Sequence, residues 1–198
     1  YRKSFLDSNK IEFGDYRYAE DKIYNYFCYI AGARYAFIDK KIYVYRRNEQ
    51  SVSNTYRKDG DKDWMRIAQD LQDKIDSLNY EKKQYSQDEI ENYESIVAWT
   101  IYFAAFFDGK MEYEYSTGKI RTVINLLKRY ASYDLTKKYL KNPLRYTKKI
   151  PALSYKIMLG GFAFLMKCNM YLLLSLGIKL LVDCHIDERL SDTGRKED

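Results

Sequence analysis

Hydrophobic and polar positions alternate along this chain with two different periods, and the change of period divides it. In Ala19–Ala31, Ile23, Tyr26, Phe27 and Ile30 fall at i, i+3, i+4 and i+7. That is one face of a 3.6-residue period and predicts a helix. Glu20 and Asp21 stand in its first turn, where the helix dipole favours negative charge, and Gly32 follows as a stop. Upstream, Phe5 and Leu6 after Arg2-Lys3 read as a short helix or a strand end. Ile11-Glu12-Phe13 reads as a short extended piece and Gly14-Asp15 as a turn. Beyond Gly32 the period shortens. Tyr35–Ile38 and Lys41–Arg46 are β-rich runs joined at Asp39-Lys40. In the second, Ile42, Val44 and Arg46 face one way and Tyr43 and Tyr45 the other, which predicts a hairpin or two neighbouring strands. Asn48–Asn54 is polar and reads as a loop.

After Gly60 the helical period returns and persists. Asp61–Leu78 places Trp64, Ile67, Ala68, Leu71 and Ile75 on one face. Gln87–Phe107 opens on an acidic turn (Asp88, Glu89, Glu91) and becomes apolar from Val97. Gly118–Tyr133 carries Ile120, Val123, Ile124, Leu127 and Tyr130 at helical spacing. Leu135–Leu140 reads as a short basic helix that Asn142-Pro143 ends. Leu153–Val182 is apolar, interrupted by Lys156, Lys167 and Lys179, and Ser191–Asp198 is a polar tail. The expected fold is therefore α/β and mainly helical. Residues 1–56 form a part with a few short strands, and residues 57–198 form a helical extension, with the boundary near Asn54–Gly60.

Composition supports the helical bias. Only 2 Pro and 9 Gly stand against 31% charged residues, a balance that favours long helices over a loop-rich sandwich. The 22 Tyr suit shallow grooves and interfaces, because the ring is buried while the hydroxyl stays at a wet edge. Cys28, Cys168 and Cys184 have no metal-like spacing and are odd in number, so reduced thiols are expected. The lone His185 is expected at a surface or helix end.

Charge is uneven. Residues 135–182 hold nine Lys and Arg (Lys137, Lys138, Lys141, Arg145, Lys148, Lys149, Lys156, Lys167, Lys179) and no carboxylate, so the remainder of the +6 chain is at −3. That asymmetry points to an anionic partner for one segment. Two readings stand for it. One is a buried helical pair with snorkelling lysines. The other is a hairpin on an anionic leaflet, with Lys137–Lys149 meeting the headgroups. The uncharged runs Ile157–Met166 and Cys168–Ile178 are short for membrane spans. Nucleic acid is not an expected partner, since the basic residues adjoin apolar runs instead of alternating with aromatics.

One ordered series carries chemistry: Tyr1-Arg2-Lys3-Ser4-Phe5-Leu6, then Ile11-Glu12-Phe13, Ala19-Glu20-Asp21, Ile38–Arg46 and Ser51-Val52-Ser53. It covers about the first quarter of the chain and resembles the C-terminal half of family 2 glycosyltransferases, the inverting enzymes of bacterial polysaccharide assembly. The resemblance implies a GT-A, Rossmann-like domain of which residues 1–56 are the acceptor-side part. It implies a preceding half that holds the nucleotide-sugar donor and, through an Asp-x-Asp motif, a divalent Mn or Mg ion. No such motif stands in the right context in this chain, since Asp59-Gly60-Asp61 comes too late, and no metal ligand is assigned in it. The chain opens at Tyr1 inside what reads as a structured element, so it is expected to be a piece of a longer enzyme and to be inactive alone.

The resemblance further implies that Asp21 is the general base that takes the acceptor hydroxyl's proton, with Glu20 beside it as an orienting or acceptor-binding group. An inverting transfer needs that base on the sugar face opposite the leaving diphosphate. Arg46, with Arg47 second, is the candidate for the diphosphate, since a guanidinium offers donors in a fixed fork. Ser51 and Ser53 follow on a loop that closes over acceptor or diphosphate. The acceptor is expected to be a glycan or a lipid-linked sugar, and the enzyme to be cytoplasmic and peripheral at the inner face of the plasma membrane. The competing class is a non-enzymatic basic helical module that binds an anionic membrane or another polyanion. Taken alone, a Glu-Asp pair is most often a helix-start charge pair, and Arg46 a solvated strand end.

Overall fold

The computed structural model describes residues 1–17, 19–36, 38–40, 55–80 and 85–184. Among the described residues every regular element is a helix. They are α1 (Lys3–Ser8), α2 (Glu20–Ile30), α3 (Gly60–Tyr80), α4 (Gln87–Tyr115), α5 (Ile120–Ser132), α6 (Asp134–Leu140), α7 (Pro143–Thr147), α8 (Leu153–Lys167) and α9 (Tyr171–Asp183).

The α/β expectation is corrected by this. The described part of the first β-rich run, Tyr35, Ala36 and Ile38, is exposed and forms no strand. A strand exists only against a neighbour that takes up its backbone donors and acceptors. Among the described residues no such neighbour is present, and the Tyr35 hydroxyl instead donates to the Asn25 carbonyl at 3.2 Å. The second run, Lys41–Arg46, and the loop Asn48–Asn54 lie outside the described residues, as do His185 and the tail.

α4 is the axis of the bundle. Ser86 caps it reciprocally: its hydroxyl accepts from the Glu89 N–H while the Glu89 carboxylate accepts from the Ser86 N–H. Val97, Ala98, Ile101, Tyr102, Ala104 and Ala105 are buried along the helix, so α3, α5, α7, α8 and α9 pack around it. The helix runs eight residues past the expected end at Phe107. Gly109 does not break it. A methyl group there would come within 2.9 Å of Ile178 Cδ1, so the glycine lets α9 approach α4 closely.

α2 buries two faces. Ile23 and Ile30 join the main core with Leu71 and Ile75 of α3. Tyr24 and Cys28 form a smaller cluster with Ile11, against which Phe5 and Leu6 pack. The helix ends in a Schellman motif: Gly32 takes φ +81° and the Ala33 N–H donates to the Cys28 carbonyl at 2.9 Å. α8 ends in the same way on Asn169, at φ 57°, with the Met170 N–H donating to the Leu165 carbonyl, and so the long apolar segment becomes a helical hairpin.

The buried tyrosines are core residues with polar tips. Tyr102 donates to the Tyr139 carbonyl, Tyr139 to Gln72 and Tyr130 to Asp108. Cys28 is buried, Cys168 and Cys184 are exposed, and all three are free thiols. Among the described residues no helix is long and apolar enough to cross a membrane.

Candidate functional site

Asp21 sits in the first turn of α2, exposed, beside exposed Glu20. Ala19, the residue before the helix, is left-handed at φ 58° and gives no side-chain cap. Asp21 Oδ1 accepts the Lys22 N–H at 2.8 Å. Its Oδ2 has no partner among the described residues, and Glu20 has neither a hydrogen bond nor an ion pair among them. The structure thus presents a carboxylate with one oxygen held and the other open.

Asn25 and Tyr29 follow Asp21 at i+4 and i+8, all three exposed on one face of the helix. The Asn25 amide donates to the Asp21 carbonyl at 2.8 Å, while its Oδ1 accepts from the Tyr1 hydroxyl. Tyr35 leans against Tyr29 with centroids 6.4 Å apart, and Phe13 and Tyr1 pack on Tyr24, one stacked and one edge-on. Four exposed rings (Tyr1, Phe13, Tyr29, Tyr35) thus gather around Tyr24, Asn25 and Tyr29, on the turns of α2 that follow Asp21. Burial, with the neighbouring Cys28, Tyr1 and Tyr29 adding to it, pushes the Tyr35 phenol up to about 12, so it remains a hydrogen-bond donor at neutral pH. Asn25 and this gathering of rings were not singled out in the sequence. Their signal was there, since the polar face of the Ala19–Ala31 period runs Asp21, Asn25, Tyr29.

Arg46, Arg47, Ser51 and Ser53 lie outside the described residues, so Glu20 and Asp21 are the assigned site residues whose placement is seen. Among the described residues no three His, Cys, Asp or Glu side chains gather as a metal site. An open groove of about 300 Å³ between α3 and α6, lined by Lys62, Arg66, Gln69 and Tyr133 among others, includes neither Glu20 nor Asp21.

A second polar cluster lies under the start of α3. The Asp61 carboxylate, 2% exposed, accepts from Arg129 at 3.0 and 3.3 Å and from the Tyr133 hydroxyl at 3.0 Å. Nearby, the Asp108 carboxyl accepts from Tyr130. Enclosure pushes Asp108 up to about 6, the Tyr130 bond opposes the shift, and the Asp61 charge adds to it. A perturbed carboxyl often marks a catalytic group. Here every group around it is a packing partner that ties α3, α4 and α5 together.

The raised value sets a pH dependence. The folded state keeps the Asp108 proton up to about pH 6, whereas an unfolded chain loses it near 3.8. The stabilising contribution is complete below about pH 4 and is lost as pH rises through 6, a difference of about 3 kcal/mol. Asp108→Asn removes that slope. Urea unfolding of both proteins between pH 4.5 and 7.5 checks it: the stability of the variant relative to wild type should rise with pH, and a constant difference contradicts the assignment.

Four of the nine cations of the basic segment have carboxylate partners on α4. Lys138 pairs with Glu94 at 3.7 Å, Arg145 and Lys148 with Glu91 at 3.2 and 3.0 Å, and Lys149 with Asp88. The acidic start of α4 therefore faces the basic α6–α7 region, and ion pairing holds the Asp88 and Glu91 carboxyls below their usual range. Lys137 pairs within its own helix, with Asp134.

No protein-family model, no curated protein and no solved structure matches this chain.

Proposed function

We propose that this chain is the acceptor-side part of an inverting glycosyltransferase that moves a sugar from a nucleotide donor to a glycan or lipid-linked acceptor, with Asp21 as general base. The observation that carries the proposal is the open Asp21 oxygen one turn before an exposed face of Asn25 and aromatic rings. A pyranose has an apolar C–H face that packs on such rings and hydroxyls that reach an amide and a carboxylate. The motif series of the first quarter of the chain supports the same reading.

The acceptor hydroxyl oxygen forms a bond to the anomeric carbon and its proton passes to Asp21. The carbon–oxygen bond to the diphosphate breaks on the opposite face, and the electron pair leaves with the diphosphate. Glu20 orients the acceptor. Arg46 and Arg47 are assigned to the developing phosphate charge, and Ser51 and Ser53 to the closing loop. The donor site and its divalent ion are assigned to residues other than those described here. The enzyme is placed at the cytoplasmic face of the membrane, where lipid-linked acceptors are within reach. The second reading, a non-enzymatic module on an anionic membrane, is favoured by the exposed apolar hairpin, and it stands or falls separately.

Product stereochemistry tests the proposal. The enzyme that carries this chain is given uridine- and guanosine-diphosphate sugars with a glycan acceptor, and the product is read by proton NMR. An inverted anomeric configuration is expected. A retained configuration overturns a base acting on the face opposite the leaving group.

A further inference from the structure

We infer that the outward face of the α8–α9 hairpin docks on the surface of an anionic phospholipid bilayer. The inner faces of both helices are used by the bundle: Leu159, Phe162 and Met166 of α8 and Leu174 and Ile178 of α9 are buried. The outer faces are apolar as well. Ile157 and Phe164 on α8 and Leu172, Leu173, Leu176 and Leu180 on α9 are exposed, Ile157 at 65% and Leu172 and Leu180 at 59% each. Contiguous apolar surface of this kind marks a docking site.

Charge identifies the occupant. Residues 135–182 contain no carboxylate; the one acid of the hairpin, Asp183 at the end of α9, is paired with Lys179, and Lys156 and Lys167 leave the hairpin with an excess of positive charge. Asp88, Glu91 and Glu94 of α4 take up Lys138, Arg145, Lys148 and Lys149, while Lys137 and Lys179 pair within their own helices with Asp134 and Asp183. Lys141, Lys156 and Lys167 have no carboxylate partner among the described residues, and Lys167 reaches back to the Lys141 carbonyl at 2.7 Å. A protein partner would need an apolar face rimmed by acids. A bilayer supplies both features at once, over an area that need not match side chain by side chain.

Geometry sets the mode. α8 has 15 residues and α9 has 13, each shorter than the roughly 20 needed to cross the hydrocarbon. Their outer leucines therefore enter the headgroup boundary with both helices in the plane, and the lysine stems run along the apolar face toward the phosphates. This assignment stands on the hairpin alone, so its failure leaves Asp21 untouched, and failure of the transferase reading leaves the hairpin untouched.

Vesicle co-sedimentation of the 198-residue chain is the test. Partitioning onto phosphatidylcholine vesicles that contain phosphatidylglycerol should exceed that onto pure phosphatidylcholine by about tenfold or more and weaken with added salt. Lys141, Lys156 and Lys167 changed together to Gln should lower it about tenfold or more. The Leu172→Ser/Leu176→Ser protein should lose binding while keeping its circular dichroism and Tm, since both leucines point away from the core. Equal binding to neutral vesicles overturns the inference, as does no binding. So does a concentration-dependent dimer that the same leucine changes abolish, because the face would then belong to a second copy.

Discussion

Arg129→Ala is expected to destabilise the bundle by about 2–3 kcal/mol, although half of that side chain is in water. The reason lies in its partner. Asp61 is buried at the start of α3, and Arg129 supplies two of its hydrogen bonds. Removing the cation leaves a carboxylate out of water with only Tyr133 and the helix dipole to hold it. Breaking a buried pair in this way typically costs about 3–5 kcal/mol, and the exposure of Arg129, 48% at its side chain, brings this case down to or just below the lower bound. Arg129 also donates to the Lys58 carbonyl, so the segment leading into α3 loosens with it. A double-mutant cycle with Asp61→Asn in urea isolates the pair: the Arg129→Ala cost should shrink by more than about 1 kcal/mol once Asp61 carries no charge. Additive effects would show that Arg129 acts through packing alone.

Helices were legible where one face was apolar. Val123, Leu127 and Tyr130 stand at helical spacing and are buried, and Ile67, Ala68, Leu71 and Ile75 repeat the pattern on α3. Where two faces are buried, a single period misleads. On α2 the periodic Tyr26 and Phe27 are half-buried, while Tyr24 and Cys28, off that face, are buried against Ile11. α6 ends at Leu140, as the Asn142-Pro143 break predicts, and Pro143 is also the first residue of α7, where its missing N–H has no carbonyl to reach.

Tertiary partners were the harder part. The excess of lysines on residues 135–182 looks outward in the sequence, because the acids that meet them, Asp88, Glu91 and Glu94, are more than forty positions away. The β-rich alternation at Tyr35–Ile38 was a sound local reading with no neighbouring strand among the described residues. At the candidate site, the sequence located the carboxylates. It did not show that Tyr1 and Tyr35 both bond to Asn25, one turn below Asp21, because no local pattern links positions 24 and 10 residues apart.

If Asp21 removes the acceptor proton, as proposed, single-turnover transfer by the enzyme carrying Asp21→Asn measures that role. The amide keeps the shape and the Lys22 N–H contact but is no base. Asp21 is exposed and outside the core, so the Tm and donor binding should be unchanged. The transfer rate should fall by about 10²–10⁴, the usual worth of a positioned base. Glu20→Gln, which alters only the neighbour, should stay within about tenfold of wild type. A fall of that size in Asp21→Asn with donor still bound is the predicted result. Transfer at close to the wild-type rate in that variant would contradict it.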